Sequence, residues 1–393
     1  MHSKLSRRKP LAGAVAALAV VTALASCGTG VSSDANSADK TTGGGVAAQR
    51  AGEQLEALYG SGTYQEPASD GPKGQKGYDV ALVIAGVQTP TGTKVAEAAQ
   101  EATKVLGWGL SIYDGQYNPS EYQEGIRQAI VQDVDAIWLY SIDCPLVQTA
   151  LDEAKKASIP VFSHESADCS DVDPKSESYF ERTLPFAEGD FSDWGQGLGE
   201  AQAIWLLAKR GDEANIIEVS VPELVVTKAV SVGFNAKMKE LCPKCEVTTV
   251  EVQTADFGPP LQEKIATALL RNPDANGLAL SYDDLATAGG SAAVMEAARN
   301  DSLLVVAGTN FAPTMDLIRD DKGLDAGFVY DENYAAWAAV DMINRYFAGA
   351  ENSPIGGPGL AVVDADHGLA PEGKDWTTNI DFRTAYKNNW GVS

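Results

Sequence analysis

From residue 80 onward the chain alternates short runs rich in Val, Ile, Leu and Ala with amphipathic segments of helical period, and this alternation leaves few folds open. Residues 80–85 read as a strand, after which Val95, Ala98, Ala99, Ala102, Val105 and Leu106 follow a 3.6-residue spacing. Residues 110–113 read as the next strand. Asn118-Pro119-Ser120-Glu121 then opens a helix with an N-cap side chain, a proline at the first helical position and a carboxylate in the first turn. Strand 136–140, helix 145–157 and strand 161–163 complete one half. A second half follows: helix 194–209, strand 215–219, helix 225–241, strand 246–252, helix 260–271, strand 277–281, helix 285–299 and strand 303–307. Two such series predict an α/β fold of two doubly wound parallel-sheet, Rossmann-like lobes. Ligands of such sheets bind beyond the carboxyl ends of the strands.

Residues 1–26 stand apart from this pattern. Lys4, Arg7, Arg8 and Lys9 precede a short apolar run, residues 11–24, which is the layout of an export signal. A membrane-spanning helix needs about 20 apolar residues, and this run is shorter. It ends Leu24-Ala25-Ser26-Cys27, which resembles the lipobox of bacterial lipoproteins. That resemblance implies removal of residues 1–26, lipidation of the Cys27 thiol, and an exported protein held on the outer face of the cytoplasmic membrane by its lipid alone. Ordinary cleavage that leaves Cys27 as a thiol is the alternative. Residues 27–77 read as a flexible tether that carries one short packing helix within 46–59, and the globular part begins near Tyr78.

The 30 Lys and Arg against 54 Asp and Glu leave a formal charge of −24, and no run of five basic residues occurs, so nucleic acid is excluded as a partner. With Cys27 lipidated, Cys144, Cys169, Cys242 and Cys245 remain for two disulfides in an oxidising compartment. Of three connectivities, Cys144 with Cys169 and Cys242 with Cys245 is the one in which each pair falls between neighbouring elements. CPKC at 242–245 also resembles half a zinc site or a redox dithiol. Zinc would need two more ligands where only His164 and His367 follow the leader, and a redox dithiol sits at a helix start rather than after a helix end. No metal and no cofactor are expected. Asp168, Asp171 and Asp173 lack the calcium-loop pattern and read as a solvated turn. GQGLG at 195–199 lacks dinucleotide spacing and reads as close helix packing. His164 beside Glu165 invites a catalytic dyad, but no nucleophile motif accompanies it, so no catalytic residue is assigned.

DVALVIAGVQTPTG, GWGLSIYDGQYNPSEYQEGIRQAI, VDAIWLYSID, ALDEAKKASIPVFSHES, VQTADF, NGLALSYDD and VVAGTNFAPT, in this order and spacing, resemble the type I periplasmic substrate-binding proteins of the ribose-binding class. The resemblance covers residues 78 to about 350. It implies a monomeric solute-binding protein that delivers a small molecule to an ABC import permease. It also implies two lobes that share both halves of the chain, joined by three hinge crossings near Glu188, Tyr330 and Val363. The first lobe would comprise 78–188 and 331–363, the second 189–330 and 364–393.

The strand ends offer Gln88, Thr89, Thr91, His164 and Glu165 in the first lobe, and Trp194, Glu223, Phe257, Tyr282, Asp283, Asn310 and Tyr330 in the second or near the hinge. The resemblance implies ligand contact for Phe257, Tyr282, Asp283 and Asn310 in particular. Core packing for Phe257 and Trp194, and helix capping for Asp283 and Asn310, are the plainer roles. The chain departs from the ribose-binding pattern in three places. Thr91-Gly92 replaces an aromatic, Glu165-Ser166 replaces Asp-Arg, and Lys228 or Val230 stands where a ligand-binding Arg would be. Aromatic faces with carboxylates and amides suit a polyhydroxylated guest. An anion would meet carboxylates with little positive charge, so a neutral or cationic ligand is expected, foremost a sugar or polyol. Two readings from other classes remain: a ligand sensor signalling to a membrane receptor, and a lipid-anchored hydrolase using Glu165 and Asp283 as an acid/base pair.

Overall fold

A strand covered by helices on both faces is buried along its whole length, and residues 80–84 have no side chain more than 1% exposed. The computed structural model describes residues 44–309, 311–351 and 357–392. Helix α1 (Val46–Leu55) precedes the first sheet, which is built from β1 (Asp79–Ile84), α2 (Pro90–Leu106), β2 (Gly109–Asp114), α3 (Pro119–Val131), β3 (Ala136–Tyr140), α4 (Gln148–Ala157), β4 (Val161–His164), the single turn α5 (Cys169–Val172) and β5 (Arg182–Thr183). Its strands are all parallel in the order β2-β1-β3-β4-β5. Caps set the helix starts at the strand ends. Thr89 accepts from the Gly92 amide at 3.1 Å ahead of Pro90, and Asn118 accepts from Ser120 at 3.0 Å ahead of Pro119.

The second sheet follows α6 (Phe191–Arg210) with β6 (Asn215–Ser220), α7 (Val225–Leu241), β7 (Glu246–Glu251), α8 (Pro259–Arg271), β8 (Gly277–Leu280), α9 (Ser291–Glu296), β9 (Leu304–Ala307), α10 (Ala312–Arg319) and β10 (Ala326–Val329). After α11 (Glu332–Phe347), strand β11 (Ala361–Asp364) joins it antiparallel to β10, giving the order β11-β10-β9-β8-β6-β7. The expected helix over 285–299 is broken. A π-turn occupies Ala286–Gly290, where Gly289 takes φ 143° and a side chain would press on the Gln262 amide. The GQGLG stretch lies where α6 meets α7, and a Cβ on Gly199 would collide with the Val230 carbonyl, so close helix packing is its use.

The final helix, α12 (Phe382–Trp390), corrects the expected lobe boundary. Its i, i+4, i+8 face of Phe382, Tyr386 and Trp390 stacks on α11, with Trp390 on Trp337 at 5.5 Å and Phe382 on Tyr334 at 4.8 Å. Arg383 pairs with Glu101 of α2 at 2.9 Å. Residues 382–390 therefore belong to the first lobe, while 361–363, expected there, are strand in the second sheet. The hinge accordingly has crossings before α6, at Tyr330–Asp331, on each side of β11, and between α1 and β1.

That last crossing is also a departure from expectation, since residues 59–77 are packed rather than free. Helix α1 buries Ala47, Ala51 and Leu55 against α6 of the second lobe. From there Tyr59 donates to Asp364 at 2.7 Å, the Asp331 amide donates to Tyr64 Oη at 2.6 Å, and the Gln75 amide donates to Asn344 of α11 at 2.8 Å. Cys144 is bonded to Cys169 and Cys242 to Cys245. Asp168, expected in a solvated turn, is 4% exposed and accepts from the amides of Cys169, Tyr179 and Phe180. It organises the loop beside the first disulfide. No helix among the described residues is long and apolar enough to cross a membrane.

Candidate ligand-binding cleft

Strand register brings the carboxyl ends of each sheet into line. Ile84 pairs with Asp114 and Tyr140, Tyr140 with His164, and in the other sheet Leu280 pairs with Val219 and Ala307. The loops that follow these positions face one another across the hinge and enclose a cavity of about 590 Å³. Four of the residues lining it hold left-handed backbone: Tyr117 (φ 51°), Ser141 (55°), Glu165 (56°) and Thr309 (40°). Such conformations cost free energy in non-glycine residues and concentrate at functional sites.

Of the sequence-predicted residues, Thr89, Thr91, Glu165, Trp194, Phe257, Tyr282, Asp283 and Tyr330 line the cavity. Gln88 does not; it is exposed on the turn before α2. Glu223 is also outside, exposed at the rim, where it accepts from the Thr254 amide at 2.7 Å. His164 lies beneath the cleft, fully buried, with its ring 5.9 Å from Trp138 and 4.9 Å from Tyr140. As the last residue of β4 it alternates inward, and the left-handed turn at Glu165 sends the next side chain to the cavity. Asn310 and Cys27 lie outside the described residues.

Trp194 and Tyr330, with ring centroids 5.3 Å apart, form an aromatic wall continued by Phe191. Phe257 and Tyr282, 6.2 Å apart, form another in the second lobe. The structure adds residues that strand-end reasoning passed over: Tyr117, Tyr140, Asp143, Asp284, Phe311 and Glu332. Glu332 carried a legible signal, being an acid at a helix start two residues from the expected hinge position Tyr330. Asp143 caps no helix with its side chain but accepts from the Ala167 amide at 2.9 Å, tying two cleft loops together.

The lining includes the carboxyl groups of Asp143, Glu165, Asp283, Asp284 and Glu332 and, among the described residues, no Lys, Arg or His. Lys228, which stands near the expected arginine position, is exposed away from the cavity, while Val230 lines it. Asp283 is 1% exposed; Thr309 donates to one oxygen at 3.3 Å and the other oxygen has no partner. Burial, then the neighbouring charge of Asp284, pushes its pKa well above the usual carboxylate value. Burial, then Glu165, does the same to Glu332. Burial holds the Tyr140 and Tyr330 phenols protonated, so both remain donors, and Tyr330 Oη, Trp194 Nε1 and Ser281 Oγ have no partner either. Unmatched buried polar atoms are costly, and here they surround a ligand-sized space.

A family model described as a periplasmic binding protein domain matches residues 80–351. The chain belongs to that family. The ribose import binding protein of Bacillus subtilis is 24% identical over 225 residues, which span 57% of this chain and 67% of that protein. Among solved structures, the fold resembles an ABC transporter solute-binding protein from Agrobacterium vitis with bound allitol, at TM-score 0.61 and 14% identity, over 75% of this chain and 97% of that one. It resembles to the same TM-score, 0.61, a periplasmic solute-binding protein from Actinobacillus succinogenes with bound D-allose, at 16% identity over 74% of this chain and 98% of that one. Two α/β lobes with parallel sheets are the architecture shared by this family, and its members are solute-binding proteins.

Proposed function

We propose that this protein captures a small sugar or polyol between its lobes and delivers it to an ABC import permease. The observation that carries this reading is the interlobe cavity itself, in which two aromatic walls alternate with buried carboxyl, hydroxyl and indole groups that lack partners. Aromatic faces cover the C–H side of a sugar, and the polar groups take its hydroxyls. Allitol and D-allose bound to the two solved relatives agree with that chemistry. The lipobox-like Leu24-Ala25-Ser26-Cys27 supports export and anchoring through lipidated Cys27 to the outer face of the cytoplasmic membrane, with residues 28–45 as a tether. The binding function is non-catalytic, and the protein acts as a monomer.

A thermal-shift screen of pentoses, hexoses and their alditols tests the reading. A ligand at one hundred times its dissociation constant adds about 2.7 kcal/mol of stability, so a true ligand raises the melting temperature clearly. Small-angle scattering of the same sample should show a smaller radius of gyration as the lobes close. A shift without compaction would remove the clamp from the proposal.

A further inference from the structure

Inside the cavity, two carboxylates of the first lobe's side face each other. One oxygen of Glu165, one of Glu332 and a ring nitrogen of His164 all lie within 4.8 Å of one another. Glu332 is 9% exposed; Tyr140 donates to its Oε1 at 3.1 Å, and its Oε2 has no partner. Glu165 Oε1 receives no hydrogen bond, and His164 Nε2 stands 3.5 Å from it. Tyr330 Oη, also unpartnered, lines the same space.

This spacing has a chemical reading. With charge-assisted N–O distances of about 2.8 Å, a tetrahedral nitrogen spans two oxygens about 4.6 Å apart. A ligand hydroxyl donates one proton to one of the two carboxyl groups; an ammonium has three protons, reaches both oxygens at once, and its charge relieves the repulsion that opposes ionising Glu332 beside Glu165. The surroundings favour positive charge as well. Asp143, Asp283 and Asp284 bring further acidic side chains to a lining that, among the described residues, holds no basic side chain, and Lys94, over the Phe311 ring, is engaged with Asp375 at 2.6 Å. The Trp194, Tyr330 and Tyr140 faces nearby suit a cation equally.

We infer that the ligand carries a protonated amine, as an amino sugar or amino polyol does, and that Glu165 and Glu332 hold the ammonium between them. The inference rests on the sugar or polyol reading and adds a charge to it.

Calorimetry on the full chain with matched pairs separates the two: D-glucosamine with D-glucose, D-galactosamine with D-galactose, D-mannosamine with D-mannose, and 1-amino-1-deoxy-D-sorbitol with D-sorbitol. At least one amine should bind at least about tenfold tighter than its hydroxyl partner, and Glu332→Gln should shrink that preference by weakening the amine more than the hydroxyl partner. A neutral member binding as tightly as its amine, or tighter, overturns the inference and leaves the sugar reading standing. Binding of no member overturns both. Calcium or zinc chloride alone, raising the melting temperature of wild type but not of Glu332→Gln, would make the cluster a metal site and overturn the ammonium. Should Glu332→Gln not fold, the matched pairs on wild type decide by themselves.

Discussion

Asp364 and Asp283 are buried aspartates at opposite strand ends of one sheet, and they are treated in opposite ways. Asp364 closes β11 at the edge remote from the cleft, where Ala326 begins the neighbouring β10. It is 5% exposed and accepts from Tyr59 at 2.7 Å, from Trp205 at 3.1 Å and from the Asp366 amide at 3.1 Å, with His367 Nδ1 at 2.7 Å. Burial pushes its pKa up, but those hydrogen bonds together outweigh burial and hold it below 3.8. Asp283, at the cleft edge, is more buried yet has an oxygen without a partner and a pKa far above that value. The difference separates a carboxylate that holds the fold together from one whose partners must arrive from solution.

The largest expected effect is on the structural side. Asp364→Ala strands the indole of Trp205 and the phenol of Tyr59, and should lower the free energy of urea unfolding by about 3 kcal/mol. Ligand affinity in that variant should stay within about twofold, and a large affinity loss would erase the distinction. Asp283→Ala should do the reverse. Its affinity for the best sugar, amino sugar or polyol should fall about 30-fold, near 2 kcal/mol, while unfolding stability holds or rises. Tyr282→Phe should cost only about threefold, because a single phenol contributes less than a buried carboxylate. Equal affinity of Asp283→Ala and wild type in calorimetry would remove Asp283 from the site.

The smallest effect is a slope. An acid whose folded pKa is raised binds more protons folded than unfolded, so ligand-free stability falls as pH rises from about 4, and Asp283→Asn should flatten that fall. Asp364 acts in the opposite sense. Its contribution is complete above 3.8, the unfolded reference, and is lost as pH falls through the lower folded value. Melting curves of the two Asn variants between pH 3 and 7, roughly the range that carboxylates titrate, should diverge in opposite directions.

The fold was legible because doubly wound sheets write themselves as alternating periods, and because Asn118-Pro119 marks a helix start by local chemistry. What escaped depends on long-range contact. The side of the hinge on which α12 sits is decided by stacking on Trp337 and Tyr334, which no local period reveals. The site was legible at the level of loops and not of single side chains. Strand ends point to the segments that bear Gln88, His164 and Glu223, but the turn geometry within each segment aims Gln88 and Glu223 at solvent and buries His164 beneath the floor. Tyr140 and Glu332 lie at the boundary of an element rather than in a loop, where core burial is the ordinary expectation.

The docking of α1 on α6, with residues 59–77 running on to α11, has a mechanical consequence. A load applied to the chain upstream of Val46 is borne by the second lobe through the α1–α6 contact and does not reach the hinge. Under such a load the second lobe would serve as the frame and the first lobe as the jaw. Each additional strand of chain between frame and jaw removes freedom to twist or slide, so that the remaining motion is a single arc.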